Sequence, residues 1–168
     1  MACCVGCAVE YAQQLRERKE NKEGVIRRRK IKVMKEENKT LSDHKKELQL
    51  LVNKFVRLRD HGKKCVSCNS ILRSPEGKGG FVDAGHFWSM GGYPSVRFDL
   101  NNLWGQCVHC NRDLHGNLLP YRTKLIERIG RKQFDELATR AQQSNKQSIP
   151  EIQDLKRLFK LKIKHYDH

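Results

Sequence analysis

The chain has 168 residues and a formal net charge of +15, with 38% hydrophobic and only 7% aromatic side chains. This composition favours a small core with helical extensions, and we expect no membrane-spanning segment because no run of about 18 apolar residues occurs. Residues 1–64 and 121–168 carry the excess positive charge, whereas residues 65–120 are neutral. Such a field attracts polyanions, so the expected partner is DNA or RNA. An anionic membrane would also be attracted, but we expect no membrane partner because no segment can span a bilayer.

Residues 1–39 predict a basic, partly helical N-terminal extension. Their Glu, Lys, Arg and Gln side chains favour a helix, which we expect to be interrupted near Gly24. The charge run from Arg27 to Lys30 has two interpretations, a set of phosphate contacts or a solvated helix face.

Seven cysteines, and an amino terminus that becomes charged by Glu10, predict a reducing compartment and no secretion signal. Cys3, Cys4 and Cys7 lie at that terminus, where Cys4-Val-Gly-Cys7 is either half of a zinc site or an unstructured pair of thiols. The other four cysteines form two C-x-x-C pairs, Cys65-Val-Ser-Cys68 and Cys107-Val-His-Cys110. Four thiolates in two such pairs predict a closed, structural zinc site.

Residues 40–130 are expected to form the main domain, which begins with an amphipathic helix. Thr40 and Asp43 resemble a capping box, and Gly62 ends the helical pattern. Between them, apolar side chains recur at helical spacing at Leu48, Leu51, Val52, Phe55 and Leu58. The helix leads directly into Cys65, so we expect it to pack on the zinc module.

The zinc module is predicted to contain a strand, a loop, a strand and a helix. Residues 81–86 form the first strand, residues 102–106 the second, and residues 108–114 a short helix that Gly116 stops. The fold class is therefore α+β.

Downstream of the module the sequence predicts helices. Residues 121–129 and 134–141 are amphipathic, and Ser148-Ile-Pro-Glu151 is a capping box that opens a last helix. Residues 131–168 would form a C-terminal helical extension.

Histidine, carboxylate and amide side chains near the cysteine pairs predict a second site. His86 ends the first strand, and a side chain that titrates near neutrality suits the general base of phosphodiester hydrolysis. Asp83 and Asn111 offer oxygen ligands to a hard divalent ion, and His115, one helical turn beyond Asn111, is a candidate further ligand. Asn102 is expected to hold the loop and the imidazole by hydrogen bonds.

Each of these residues also has a structural interpretation. Four cysteines hold zinc in many binding modules that have no catalytic ion, and a lone histidine is more often a hydrogen-bonded structural residue than a base. The combination of Asp83, His86, Asn102 and Asn111 at these spacings favours catalysis. His109 lies inside a C-x-x-C turn and is expected to face solvent.

Three stretches resemble the HNH, or ββα-metal, nucleases in their zinc-containing form: Asp83-Ala-Gly-His86, Asn102-Leu-Trp-Gly-Gln-Cys107 and Cys110-Asn111. Their spacing is similar to that of the phage endonuclease VII type of Holliday-junction resolvase. The core of the lambdoid phage NinG family, also called Rap, is similar over roughly half of the chain. That similarity also includes Asn53-Lys-Phe-Val, Gly116-Asn117-Leu-Leu-Pro-Tyr-Arg122 and Glu127-Arg-Ile-Gly130.

The resemblance implies a zinc-bound ββα-metal core with basic helical N- and C-terminal extensions. It implies a phage recombination endonuclease that cuts Holliday junctions and D-loops in the cytoplasm of the bacterial host. His86 would activate water, Asp83 and Asn111 would hold Mg²⁺ or Mn²⁺, and the four paired cysteines would hold Zn²⁺. Symmetric cutting of two strands would favour a homodimer.

Two alternatives remain open at this point. One is a zinc-containing DNA-binding protein that mediates recombination without cutting, and the other is a less specific HNH nicking endonuclease. Leu114-His115 also stands where family members can carry Lys-Ser, which leaves the role of His115 open.

Overall fold

The computed structural model describes residues 4–73, 82–144 and 147–166. The chain divides into two compact units, residues 1–40 and residues 41–168. The helices are α1 (Val5–Glu37), α2 (Leu41–Asp60), α3 (Leu118–Ile129), α4 (Arg131–Ala141) and α5 (Ile149–Lys164), and the strands are β1 (Val82–His86) and β2 (Leu103–Cys107). The described fold is thus α+β, mostly helical with one two-stranded sheet. None of the described helices is both long and apolar enough to cross a membrane.

The first unit contains a single described helix, α1, and the predicted interruption near Gly24 is wrong. A glycine inside a helix costs about 1 kcal/mol relative to alanine, which is too little to end a helix whose other residues are strong helix formers. The side chains from Arg27 to Lys30 are exposed on α1, so they are available to a polyanion.

The core of the second unit forms where α2 packs against α5. Buried side chains of both helices make one cluster, which contains Leu48, Val52, Phe55, Val56, Ile152, Phe159 and Ile163. The rings of Phe55 and Phe159 meet edge to face with their centroids 5.6 Å apart. Residues that the sequence assigned to a C-terminal extension therefore complete this core.

The start of α5 confirms the predicted capping box. Ser148 N donates to Glu151 Oε2 at 2.7 Å, which satisfies a backbone donor at the start of the helix. The hydrogen bonds with Ser148 hold the pKa of the exposed Glu151 carboxyl below its usual value.

The sheet is an antiparallel pair in which Val82 lies opposite Cys107 and His86 lies opposite Leu103. Both strands were predicted from the sequence, although Phe81, placed in the first strand, lies outside the described residues. Successive side chains of a strand point to opposite faces. Ala84 accordingly packs against the α2–α5 cluster, whereas Asp83 contacts the segment that follows β2.

The helix α3 packs against the second face of the sheet, and α4 packs on α3. Tyr121 of α3 is fully buried, and its hydroxyl donates to Gly85 O at 3.0 Å. Val66, Leu125 and Phe134 pack with this ring in a single cluster. Both faces of the short sheet are therefore supported by helices.

Candidate functional site

The four cysteines of the two C-x-x-C pairs converge in the structure. Their sulfur atoms all lie within 4.8 Å of one another, at Cys65, Cys68, Cys107 and Cys110. The Sγ atoms of Cys68 and Cys107 are 3.6 Å apart. Zinc–sulfur bonds of about 2.3 Å in a tetrahedron place the sulfurs about 3.8 Å apart, so these four thiols could bind zinc.

Two turns bring the pairs together. In the first, Cys65 N donates to Ser70 O at 2.7 Å, and Asn69 adopts a φ of 64°. Val66 N then donates to Gly105 O at 3.1 Å, which attaches this turn to β2. Cys107 is the last residue of β2, and the π-helical turn His109–Asp113 carries the second pair's other cysteine.

Backbone and amide N–H groups point at the sulfur atoms. Ser67 N and Cys107 N each donate to Cys65 Sγ at 3.4 Å. Asn117 Nδ2 donates to Cys110 Sγ at 3.5 Å. Hydrogen bonds of this kind stabilise the thiolate form that a metal requires.

The thiols of the cluster differ in acidity. Burial raises the pKa of the Cys110 thiol to about 12. Burial acts in the same direction on Cys68, but hydrogen bonds with Ser70, Cys110 and Cys107 together outweigh it and lower the pKa of Cys68 to about 6. Because zinc binds thiolates, its binding to this cluster must release protons and weaken in acid.

Gln106 links the cysteine cluster to the strands. Its side chain is fully buried, and Nε2 donates to Ser67 Oγ at 2.7 Å and to Gly116 O at 2.6 Å. Its Oε1 atom has no hydrogen-bond partner among the described residues. A Cβ added at Gly85 would lie 2.1 Å from that oxygen, so the fold requires glycine beside Gln106.

Asp83 lies at the π-helical turn, beside both Asn111 and Arg112. Asn111 Nδ2 donates to Asp83 Oδ2 at 3.0 Å. Arg112 binds the same carboxylate with two donors, Nε to Oδ2 at 2.7 Å and Nη2 to Oδ1 at 2.9 Å. Burial opposes ionisation of Asp83, but hydrogen bonds from Arg112 and Asn111 hold its pKa below the usual value.

His86 is held at the end of β1 by a backbone carbonyl. Its Nε2 lies 3.1 Å from Arg97 O, and a carbonyl only accepts, so Nε2 carries the proton and Nδ1 has the lone pair of the neutral ring. Burial lowers the pKa of this imidazole, and the positive charge of Arg97 adds to the effect. The carbonyls of Arg97 and Ala84 act in the opposite direction.

Asn102 fixes the loop that joins the two strands. It is fully buried, and its Oδ1 accepts from Trp88 N at 2.8 Å. Its Nδ2 donates to Trp88 O and to Val96 O, both at 3.0 Å. The predicted role in holding the loop therefore has a structural basis, whereas a direct contact with the imidazole stays a prediction.

The structure brings Asp83 and Asn111 together, whereas His86 is hydrogen-bonded elsewhere, to the backbone carbonyl of Arg97. Asp83 and His86 occupy odd and even positions of β1, so strand alternation directs them to opposite faces. Arg97, whose carbonyl contacts His86, donates to Gln49 Oε1 of α2 at 2.9 Å. His86 thus lies towards α2 and Asp83 towards the π-helical turn.

Two histidines beyond β2 are exposed. His109 Nδ1 lies 3.1 Å from Asp113 Oδ2, and 67% of its side chain is accessible. His115 follows the π-helical turn with a left-handed φ of 48°, so it does not continue a regular α-helix from Asn111. Its role as a metal ligand stays a prediction.

The amino-terminal cysteines are described in part. Cys4 Sγ lies 3.4 Å from Cys7 Sγ, and Cys3 lies outside the described residues. Whether this pair is half of a zinc site stays a prediction.

Sequence reasoning missed Arg112, Gln106 and Asp60. Asp60 is fully buried at the end of α2, where its Oδ2 accepts from Gly105 N at 2.8 Å. Arg112 had a visible signal, since a basic residue directly follows the candidate ligand Asn111. Nothing in the sequence pattern distinguishes Gln106 or Asp60 from exposed polar residues.

Comparison with known proteins places the chain among phage proteins. The profile of the family described as Bacteriophage Lambda NinG protein matches residues 2–168. The Protein ninG of Escherichia phage 933W is 35% identical over 135 residues, which cover 80% of this chain and 64% of that protein. The Protein ninG of Escherichia phage lambda is 35% identical over 80% of this chain and 63% of its own length. The Salmonella phage P22 protein is 41% identical over 64% of this chain and 50% of its own length.

The chain spans just under two thirds of the length of the 933W and lambda relatives. No solved structure matches it.

Proposed function

From the premise that this chain belongs to the NinG family of lambdoid phage proteins, we propose that it is a divalent-metal-dependent endonuclease acting on branched DNA. The observation that carries the proposal is the environment of His86. Its Nε2 is occupied by a backbone carbonyl at the end of a strand, and this arrangement presents one nitrogen as a base. The preference for Holliday junctions and D-loops follows from the resemblance to endonuclease VII-type resolvases.

In this proposal His86 takes a proton from the attacking water. The contact between Nε2 and Arg97 O fixes the ring orientation, and in the neutral tautomer that donates to this carbonyl Nδ1 would be the accepting atom. Burial keeps the imidazole neutral at physiological pH by lowering its pKa. A neutral imidazole held in one orientation is what general base catalysis requires.

Asp83 and Asn111 would hold the catalytic ion. Their side chains are hydrogen-bonded at 3.0 Å, and turning the Asn111 amide by half a turn would put its oxygen beside the carboxylate. Two such oxygen donors suit Mg²⁺ or Mn²⁺, which keep several waters and bind phosphate oxygens directly. When bound, the ion would neutralise charge on the phosphate and on the departing 3′ oxygen.

The carboxylate of Asp83 already attracts a cation in this structure. The guanidinium of Arg112 takes that place, which supports the fit of this position to positive charge. Zn²⁺ in the cysteine cluster would hold Asn111 in place, since Cys110 precedes it directly in the chain.

Both parts of the proposed site belong to β1, whose second edge is unpaired within the described residues. We therefore propose that the phosphodiester lies along that edge, with His86 on one face of the strand and Asp83 on the other. The exposed basic residues of α1 would add phosphate contacts that carry no sequence information.

The same ion pair favours one other function, a zinc-containing DNA-binding protein that does not cut. Arg112 and Asn111 both donate to the Asp83 carboxylate, as they would in a purely structural contact. A binding protein of this kind would shift a four-way junction in a gel and leave both strands intact in Mg²⁺.

His86→Ala tests the proposal directly. We expect the rate of four-way-junction cleavage in Mg²⁺ to fall by about 10²–10⁴-fold, the usual contribution of a general base. His61→Ala is the matched control, because His61 Nε2 also contacts a backbone carbonyl, Arg73 O at 2.7 Å, at an exposed position. Equal cleavage rates for the parent and His86→Ala would overturn the mechanism.

A further inference from the structure

The ion pair between Arg112 and Asp83 is unequal in exposure. Only 17% of the Asp83 side chain is accessible, whereas 64% of the Arg112 side chain is. The carboxylate is therefore fixed by the strand and the π-helical turn, while the guanidinium can leave into solvent. An exposed arginine that binds a carboxylate contributes little to folding, so it can be displaced by a competing cation.

A divalent cation at Asp83 and the guanidinium of Arg112 would compete for the same two oxygen atoms. Arg112 already uses both oxygens of the carboxylate, at 2.7 Å and 2.9 Å. Arginine stays protonated at any physiological pH, so it cannot relieve the repulsion by losing its charge. The two positive groups therefore weaken each other's binding to this carboxylate.

We propose that Arg112 is an internal competitor for the divalent cation, and that cation binding releases its guanidinium to a DNA phosphate. This inference rests on the proposed function, because it takes Asp83 and Asn111 as the cation ligands. Arg112 directly follows Asn111 in the chain, so its released side chain stays next to the proposed scissile phosphate. A guanidinium binds phosphate with the same two-donor geometry that it uses here on the carboxylate.

The consequence is coupling between cation and DNA. Each ligand favours the arrangement in which Arg112 is away from Asp83, so each must increase the affinity for the other by the same factor. Without the cation, DNA would find Arg112 still bound to Asp83. Without DNA, the cation would have to displace Arg112 with no phosphate present to receive its guanidinium. Cleavage would then begin only when both are present.

The first test measures cation affinity without DNA, on the zinc-loaded full chain. We expect Arg112→Gln to bind Mn²⁺ roughly threefold to tenfold more tightly than the parent, as titrated by electron paramagnetic resonance, because an exposed pair of this kind has a modest strength. Arg131→Gln is the matched control, since Arg131 is about as exposed as Arg112 and also contacts both oxygens of a carboxylate, that of Asp135 on α4. It removes the same charge and should leave Mn²⁺ affinity unchanged.

Two results separate the failure of this inference from the failure of the proposed function. Suppose that Asp83→Asn loses Mn²⁺ binding but Arg112→Gln binds Mn²⁺ no more tightly than the parent. That pair of results would overturn the competition and leave the cation site in place. Mn²⁺ binding that Asp83→Asn leaves intact would overturn the cation site and the inference together.

The second test measures coupling, in a His86→Ala background that keeps DNA intact. We expect Ca²⁺ to tighten four-way-junction binding at matched ionic strength, as followed by fluorescence anisotropy. Arg112→Gln should lose most of that tightening, whereas Arg131→Gln should retain it. The same tightening in both variants would show that released Arg112 does not reach a phosphate.

Discussion

At the scale of single residues, Gln106 fills the space in which a side chain at Gly85 would lie. A side chain at Gly85 would meet Gln106 Oε1 at 2.1 Å and Cδ at 2.8 Å, and Gln106 cannot withdraw without breaking its bonds to Ser67 and Gly116. The strand conformation at Gly85 is one that any residue can adopt. Glycine is therefore needed here because of the close approach of Gln106 and not because of the backbone angles.

We expect Gly85→Ala to lower the free energy of unfolding by about 2–3 kcal/mol, through overpacking and the loss of buried hydrogen bonds. Gly91→Ala is the control, because nothing lies within 4 Å of a Cβ at that position. Urea denaturation of the zinc-loaded proteins measures both variants. Equal midpoints for the two would contradict the close approach of Gln106 to Gly85.

The acidity of His86 sets the pH dependence of the proposed reaction. A protonated imidazole cannot accept a proton, so the rate must rise with pH through the pKa of His86 and then level off. Burial lowers that pKa from its ordinary value of 6.5. The single-turnover cleavage rate at pH 6.5 should therefore already exceed half of its plateau value, and a midpoint above 6.5 would contradict this assignment.

At the scale of elements, the two C-x-x-C turns replace a hydrophobic core. The buried cluster around them is small and contains little beyond the cysteines, Leu72 and Val82. Structural zinc contributes about 10–16 kcal/mol of binding free energy in small domains, which equals or exceeds the whole stability of a typical protein. Zinc bound at this cluster would fix the register of β2 against the first turn.

Cys107→Ser should abolish zinc binding and unfold the sheet and the turns around it. Loss of zinc is measured by metal analysis of the purified protein, and unfolding by near-ultraviolet circular dichroism. His109→Ala changes the same C-x-x-C turn at an exposed side chain and keeps all four thiols, so it should retain a full complement of zinc. Retention of zinc by Cys107→Ser would show that the cluster is not a four-sulfur site.

At the scale of the whole molecule, the sequence predicts those elements whose pattern lies within a few neighbouring residues. The two strands, the cysteine cluster and the capping box at Ser148 follow from alternation, ligand spacing and side-chain chemistry, and each lies where the sequence placed it. The break at Gly24 failed because one glycine is a weak signal against many helix-forming neighbours.

Contacts between distant segments were not predictable from local patterns. The packing of α5 on α2 joins residues about a hundred positions apart, and amphipathic helices do not specify their partners. The pairing of Asp83 with Arg112 likewise depends on the register of the hairpin, which places the π-helical turn beside the start of β1.

The joining of α2 to α5 also sets an order of events during synthesis. The apolar face of α2 leaves the ribosome early, but Ile152, Phe159 and Ile163, which cover it, are made about a hundred residues later. The cysteine turns lie between the two and can capture zinc while that face is still bare. A nascent chain stalled before α5 would thus expose the apolar face of α2 to solvent, and transiently exposed apolar surface of this kind is prone to aggregation.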